Sequence, residues 1–215
     1  MSNIISDALV KFDRDVFLEA VKKALNDGTD PMVLVRDLQE GMRLVGERFK
    51  TGNYFLSELM MSADLFSQAM KLIEPKLEGM VRETIGKILI GTPKGDIHDL
   101  GKNIFSTVAK GAGFEVVDLG VDVPAERFVE AVEDVKPDIL GFSALITTAF
   151  ESMKTVADAL TERGLRDDLK IIVGGGVTID KVLTYVGADA QTIDAVEGLA
   201  LCRKFVGQSV GAEKI

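Results

Sequence analysis

His98 is the single histidine of the chain. It stands in the stretch Gly91-Thr92-Pro93-Lys94-Gly95-Asp96-Ile97-His98-Asp99-Leu100-Gly101-Lys102-Asn103. Imidazole is a common metal ligand, and a carboxylate bonded to one ring nitrogen fixes the tautomer that leaves the other nitrogen free to bind. Asp96, two residues earlier, is placed to be that carboxylate. An apolar run over 85–90 precedes the stretch and reads as a buried strand, and 103–112 reads as a helix. The pair therefore sits in a strand-to-helix loop, at the edge where open α/β folds bind ligands. Taken alone, the loop fits an ordinary surface histidine better.

The elements around this loop fall into two groups. Up to residue 82 the apolar residues recur at helical spacing. Val16, Phe17, Ala20, Val21, Ala24 and Leu25 make one stripe over 13–27. Asp30-Pro31 opens a second helix, with Leu34, Leu38, Met42, Val45 and Phe49 on one face, and Thr51-Gly52-Asn53 ends it. A third helix runs over 56–73 and ends at Pro75, and a short fourth is expected over 76–82. Four amphipathic segments with short connections form an antiparallel bundle. Met60, Met61, Met70 and Met80 read as core filling, although methionines also suit an adaptable surface.

From residue 83 strands alternate with helices. Strands are expected over 85–90, 115–119, 138–142, 169–173 and 188–192, and helices over 103–112, 124–135, 149–163, 179–186 and 194–206. Such alternation makes a doubly wound parallel sheet, and for five strands the flavodoxin-like order 2-1-3-4-5 is expected. The division is a helical domain over 1–82 and an α/β domain over 83–215. In that order the His98 loop meets Ser143-Ala144-Leu145-Ile146-Thr147-Thr148 after the third strand and Gly174-Gly175-Gly176 after the fourth. An imidazole, several hydroxyls and a bare glycine backbone then share one edge, where glycines let a large ligand approach closely.

Composition narrows the partners. A net charge of −9 argues against a nucleic-acid or anionic-membrane surface. No apolar run approaches the ~20 residues of a membrane span. The amino terminus lacks the basic-then-apolar pattern of a signal peptide. One cysteine, Cys202, excludes an internal disulfide and fits a reducing cytoplasm, and its neighbours Leu199 and Phe205 make it core packing.

Familiar ligand loops fail in turn. Gly-x-Gly-x-x-Gly is absent after the first strand. Five residues separate Gly95 from Gly101 and Asn103 follows Lys102, so the stretch is no nucleotide P-loop. Ser143 stands where a receiver domain needs an acid. A zinc site wants more nitrogen or sulfur ligands than one histidine. One histidine, one supporting carboxylate and a glycine-lined slot suit a cofactor that brings most of its metal's ligands, as a corrinoid does.

Asp96-x-His98-x-x-Gly101, then Ser143-x-Leu145, then Gly174-Gly175 is similar to the cobalamin-binding signature of methionine synthase, the base-off mutases and the corrinoid proteins of methanol and methylamine metabolism. Upstream, Gly46-Glu47-Arg48-Phe49 and Gly52-Asn53-Tyr54-Phe55-Leu56-Ser57-Glu58-Leu59 resemble the helical cap that precedes the cobalamin domain in methyl-transferring members. The resemblance covers nearly the whole chain and favours the methyl-transfer branch over a mutase subunit or a corrinoid-dependent sensor. It implies base-off, His-on cobalamin with His98 as lower ligand to cobalt and Asp96 accepting the other imidazole N–H. Gly101, Ser143, Leu145, Thr147, Gly174 and Gly175 would line the path of the displaced nucleotide tail. Because the cobalt face must be covered at rest yet reached by two partners in turn, the helical domain is expected to swing aside on a hinge over 78–86. The chain departs from methionine synthase at Ala149, where a serine would extend the Asp–His hydrogen-bond chain, so that route for a proton is interrupted.

The same resemblance implies a protein that is not catalytic alone. It would shuttle a methyl group between a substrate:corrinoid methyltransferase and a methylcorrinoid:acceptor methyltransferase, the acceptor being one such as tetrahydrofolate or coenzyme M. A reductive activase would restore the cofactor after oxidation.

Overall fold

The computed structural model describes residues 4–77 and 84–208. The chain packs as two compact units, Met1–Glu83 with Lys110–Gly113, and Thr84–Ala109 with Phe114–Ile215.

The first unit is helical. Its elements are α1 (Ile4–Lys11), α2 (Arg14–Asn26), α3 (Pro31–Lys50) and α4 (Leu56–Ile73), followed by a 3-10 turn over Glu74–Lys76. Three of these match the expected helices. A further helix, α1, lies at the amino end of the unit, where no helix was expected. The helix expected over 76–82 and the hinge expected over 78–86 fall largely outside the described residues. Ile5, Ala8 and Leu9 give α1 its buried face. It crosses α3 closely at Gly41, where a Cβ would stand 2.7 Å from Leu9 Cδ2. A glycine inside a helix costs about 1 kcal/mol, which this approach offsets. The Asp30 side chain accepts the Met32 N–H at 2.9 Å, and Pro31 needs no partner at the first turn. Glu58 reaches back to the Phe55 N–H at 2.8 Å. Leu59, Ala63, Phe66, Ala69 and Ile73 fill the α4 side of the core. Met60 and Met61 are not core residues, being 40% and 51% exposed. They stand on the outer face of α4, a step away from the Leu59–Ala63–Phe66 stripe.

The second unit is a five-stranded parallel sheet, with β1 (Lys87–Gly91), α5 (Leu100–Gly111), β2 (Glu115–Asp118), α6 (Ala125–Val135), β3 (Ile139–Ser143), α7 (Ala149–Glu162), β4 (Lys170–Gly174), α8 (Asp180–Val186), β5 (Ala190–Thr192) and α9 (Ala195–Phe205). The strand order is β2-β1-β3-β4-β5, as expected. Central strands are buried on both faces, which is why they read as unbroken apolar runs. On one face Leu89, Leu140, Phe142, Ile171 and Val173 pack beneath Phe128 and Val132 of α6, Met153 and Leu160 of α7 and Val182 of α8. Phe128 meets Phe142 edge-on, with ring centroids 5.1 Å apart. The alternate strand residues Ile88, Ile90, Ile139 and Ile172 are buried on the opposite face. Cys202 is fully buried, and burial pushes its thiol up to about 12. Among the described residues no helix is long and apolar enough to cross a membrane.

Candidate functional site

The first helix of the α/β unit begins at Leu100, three residues earlier than the apolar pattern indicates. Gly101 and Lys102 therefore lie in its first turn and not in the loop. A Cβ at Gly101 would meet nothing within 4 Å, so this turn presents open space. The Lys102 side chain turns inward. It is 3% exposed and pairs with Asp118 Oδ2 at 2.5 Å.

The loop before that helix is held from below. Thr92 is fully buried, donates its N–H to Gly120 O at 2.9 Å, and gives its hydroxyl to His98 O at 3.2 Å. Asp96 is also fully buried. Its Oδ1 accepts the His98 backbone N–H at 2.9 Å and meets His98 Nδ1 at 2.7 Å. Its Oδ2 accepts the N–H groups of Leu145 at 2.6 Å and Ile146 at 3.2 Å. Burial alone would raise the Asp96 carboxyl. The amides of His98 and Leu145, the imidazole and the Ile146 amide outweigh it, and the carboxyl lies below its ordinary value. An ionised Asp96 can only accept, so Nδ1 carries a proton, and in the neutral imidazole Nε2 then keeps its lone pair. The His98 side chain is 51% exposed, and Nε2 has no hydrogen-bond partner among the described residues.

Ser143 ends β3 and lies opposite Gly174 of β4 in register. Leu145 is 45% exposed while its amide serves Asp96. Gly175 has φ +110, and a Cβ there would fall 1.9 Å from Ala144 O, so only glycine fits. At Gly174 a Cβ would make ordinary contacts of 3.5 and 3.8 Å with the carbonyls of Thr192 and Phe142. Thr147 is exposed and follows Ile146, whose amide serves Asp96. It lines an open groove of about 530 Å³ with Phe150, Ile179, Lys181 and Tyr185, beside a Tyr185–Glu151 hydrogen bond. Ala149 is fully buried at the first turn of α7.

The donor set fits a metal that arrives with its own ligands. Among the described residues no group of three or more His, Cys, Asp or Glu could hold an ion. What the site offers is one outward imidazole nitrogen, its tautomer fixed by a buried carboxylate, beside glycine backbone. Sequence reasoning passed over Lys102, Asp118 and Asp122. Their side chains act on Nζ or on backbone N–H groups, and no periodicity marks such contacts. The turn Gly120-Val121-Asp122-Val123 before Pro124 was the available signal.

The chain is similar to known cobalamin-binding and corrinoid proteins. The B12 binding domain family matches residues 86–200, and a second B12 binding domain family matches residues 2–74. Dimethylamine corrinoid protein 3 of Methanosarcina acetivorans is 36% identical, over 94% of this chain and 95% of its own length. A cobalamin-binding protein of Desulfitobacterium hafniense matches with TM-score 0.74 and 38% identity, over 94% of this chain and 96% of that one. The methanol:cobalamin methyltransferase complex of Methanosarcina barkeri matches with TM-score 0.86 and 30% identity, over 96% of this chain and 79% of that one. With both family matches in place and these relatives spanning almost its full length, the chain belongs to the B12-binding family of corrinoid proteins.

Proposed function

We propose that this protein carries a methyl group on a bound corrinoid between two methyltransferases, with His98 as lower axial ligand to cobalt. The observation that carries the reading is the His98 geometry: Nδ1 is committed to a buried carboxylate at 2.7 Å, and Nε2 is left facing out at the ligand edge of a parallel sheet. The relatives named for dimethylamine and for methanol:cobalamin methyl transfer support it.

When bound, the corrinoid supplies a cobalt centre able to accept and release a methyl group. The chain's residues do the rest. Asp96 orients the imidazole and strengthens it as a ligand, and the Leu145 and Ile146 amides keep that carboxylate ionised and immobile. Gly101, Ser143, Gly174 and Gly175 offer the small residues and backbone past which a nucleotide tail can thread. Substrate choice belongs to the partner methyltransferase, a second methyltransferase takes the methyl group onward, and a reductive activase restores the cofactor. On its single, buried thiol we place the protein in the cytoplasm. The mutase-subunit and sensor readings draw no support from these relatives.

The test loads the purified chain with cobalamin and labels histidine with ¹⁵N. The cobalt(II) EPR spectrum should change its axial nitrogen splitting, and His98→Ala should abolish that splitting while retaining some corrinoid. Mixing with candidate methyltransferases and methanol or methylamines should then methylate the cofactor. An unaltered splitting rules out His98 ligation. Ligation without methylation by any partner pair rules out the carrier role.

A further inference from the structure

Asp122 lies in the connection between β2 and α6, outside the three-part pattern that marks the site. Its backbone is left-handed, with φ +54. Few side chains adopt this conformation readily, aspartate and asparagine being among the exceptions. The conformation turns two groups of one residue onto one target. The Asp122 N–H donates to Asp96 O at 2.9 Å, and Asp122 Oδ1 accepts the Gly95 N–H at 2.7 Å. Gly95 has φ +90. Asp122 thus grips the backbone leading into Asp96 from both sides, while Leu145 and Ile146 hold the carboxylate of the same residue.

We infer that Asp122 is a positioning residue for the His98 imidazole, acting through the backbone of Gly95 and Asp96. The inference rests on the reading of His98 as cobalt ligand. Residue 96 is fixed at two places by two different loops: its main chain by β2–α6, its carboxylate by β3–α7. The imidazole takes its direction from Asp96 Oδ1, so its aim depends on both anchors. Releasing the Gly95 amide lets the loop pivot about the carboxylate. Ligand geometry must be held within about 0.5 Å, so a small pivot is enough to weaken the axial bond. Gly120 N–H to Asp118 Oδ1, at 2.8 Å, and Lys102 to Asp118 Oδ2 brace the same connection, so Asp122 sits on a fixed base.

The test uses the full chain loaded with cobalamin and reduced to cobalt(II), as parent, Asp122→Asn, Asp122→Ala and Asp122→Gly. Asparagine keeps the acceptor and tolerates the left-handed backbone but removes the charge. Glycine frees the backbone and removes the acceptor. We expect parent and Asn to show the axial nitrogen equally. Ala and Gly should bind corrinoid with the ratio of His-ligated to unligated cobalt reduced by about tenfold. A role in stability alone would lower the unfolding midpoint and leave that ratio unmoved. Parental ratios in Ala and Gly overturn the inference, as does an Asn variant as defective as Gly. If Ala does not fold, the Gly–Asn comparison decides. A parent without axial nitrogen overturns the His98 reading and this inference with it. A parent with it, beside unaffected variants, overturns this inference alone.

Discussion

The two edges of the sheet use one device for different ends. At the amino edge Asp189 accepts the Ile171 N–H at 2.8 Å and pairs with Arg166 Nη2 at 2.8 Å through the same Oδ2. Arg166 also donates to the carbonyls of Leu169 and Gly187. At the carboxyl edge Asp96 likewise accepts backbone amides, but its remaining partner is an imidazole. A guanidinium has donors only, so the Asp189 network closes on itself and ties strand ends together. An imidazole that gives Nδ1–H to a carboxylate keeps an acceptor at Nε2, so the Asp96 network is left open toward solvent. The same carboxylate chemistry thus makes a clamp at one edge and a ligand at the other, according to the last residue in the chain of contacts.

The sharpest way to break this comparison is Asp96→Ala. It leaves the His98, Leu145 and Ile146 amides without their acceptor in a part-buried position, and each such amide costs about 1–3 kcal/mol. Denaturant unfolding should show that loss, and the loaded protein should lose its axial nitrogen. The acid limb of stability sharpens the same point. The folded Asp96 carboxyl lies below its ordinary value. Its stabilisation is therefore complete above the unfolded carboxylate value of about 4 and is lost as pH falls through the lower folded value. Unfolding free energies from pH 6 downward should bend below about pH 4 in the parent. Asp96→Asn should flatten that bend, and a bend that survives the substitution would remove Asp96 as its source.

Asp189→Ala should do less, because the Arg166 and Asp189 side chains are 21% and 22% exposed and water can replace part of what is lost. We expect about 1–2 kcal/mol of destabilisation. Corrinoid affinity and the axial nitrogen signal should not change. A variant that loses corrinoid would show that the two edges are not separable.

The contrast between the edges also explains what was legible in the sequence. Strands were legible because burial on both faces leaves runs such as Ile88-Leu89-Ile90 and Ile171-Ile172-Val173, and parallel order then follows from the alternation with helices. The Asp96–His98 pair was legible because a lone imidazole two residues from a carboxylate is a question of residue type. The anchoring of Asp96 by Leu145 and Ile146 was not, since backbone amides carry no residue identity. The start of α5 was misplaced because Gly101 and Lys102 look like loop residues. Lys102 turns inward because its Nζ pairs with Asp118, 16 residues on, and donates to Asn103 Oδ1. Eight-residue α1 was missed although Ile5 and Leu9 stand one helical turn apart, since so short a helix owes its stability to packing against α3 rather than to its own propensity. Met60 and Met61 looked like core on residue type, and the neighbouring Leu59, Ala63 and Phe66 stripe takes that role.

The smallest expected effect concerns Ala149, the position where the resemblance to methionine synthase implies a serine that extends the Asp–His chain. A carboxylate offers about four acceptor positions. On Asp96 they are taken by the His98 amide, the His98 ring and the amides of Leu145 and Ile146. A hydroxyl introduced at position 149 could bond to this carboxylate only by displacing one of these contacts. Ala149 is fully buried, so the added hydroxyl would otherwise lack a partner. Ala149→Ser should therefore destabilise the protein by about 1 kcal/mol, the lower end of the cost of an unpaired buried hydroxyl. It should leave the cobalt(II)/cobalt(I) midpoint potential as independent of pH as in the parent. Potentiometric titration at several pH values, paired with denaturant unfolding, reads both quantities. A serine variant that is as stable as the parent and gains a pH-dependent potential would show that Asp96 still has an acceptor position to give. The amide at 3.2 Å from Ile146 is the longest of the four contacts, and it is the one such a hydroxyl would displace.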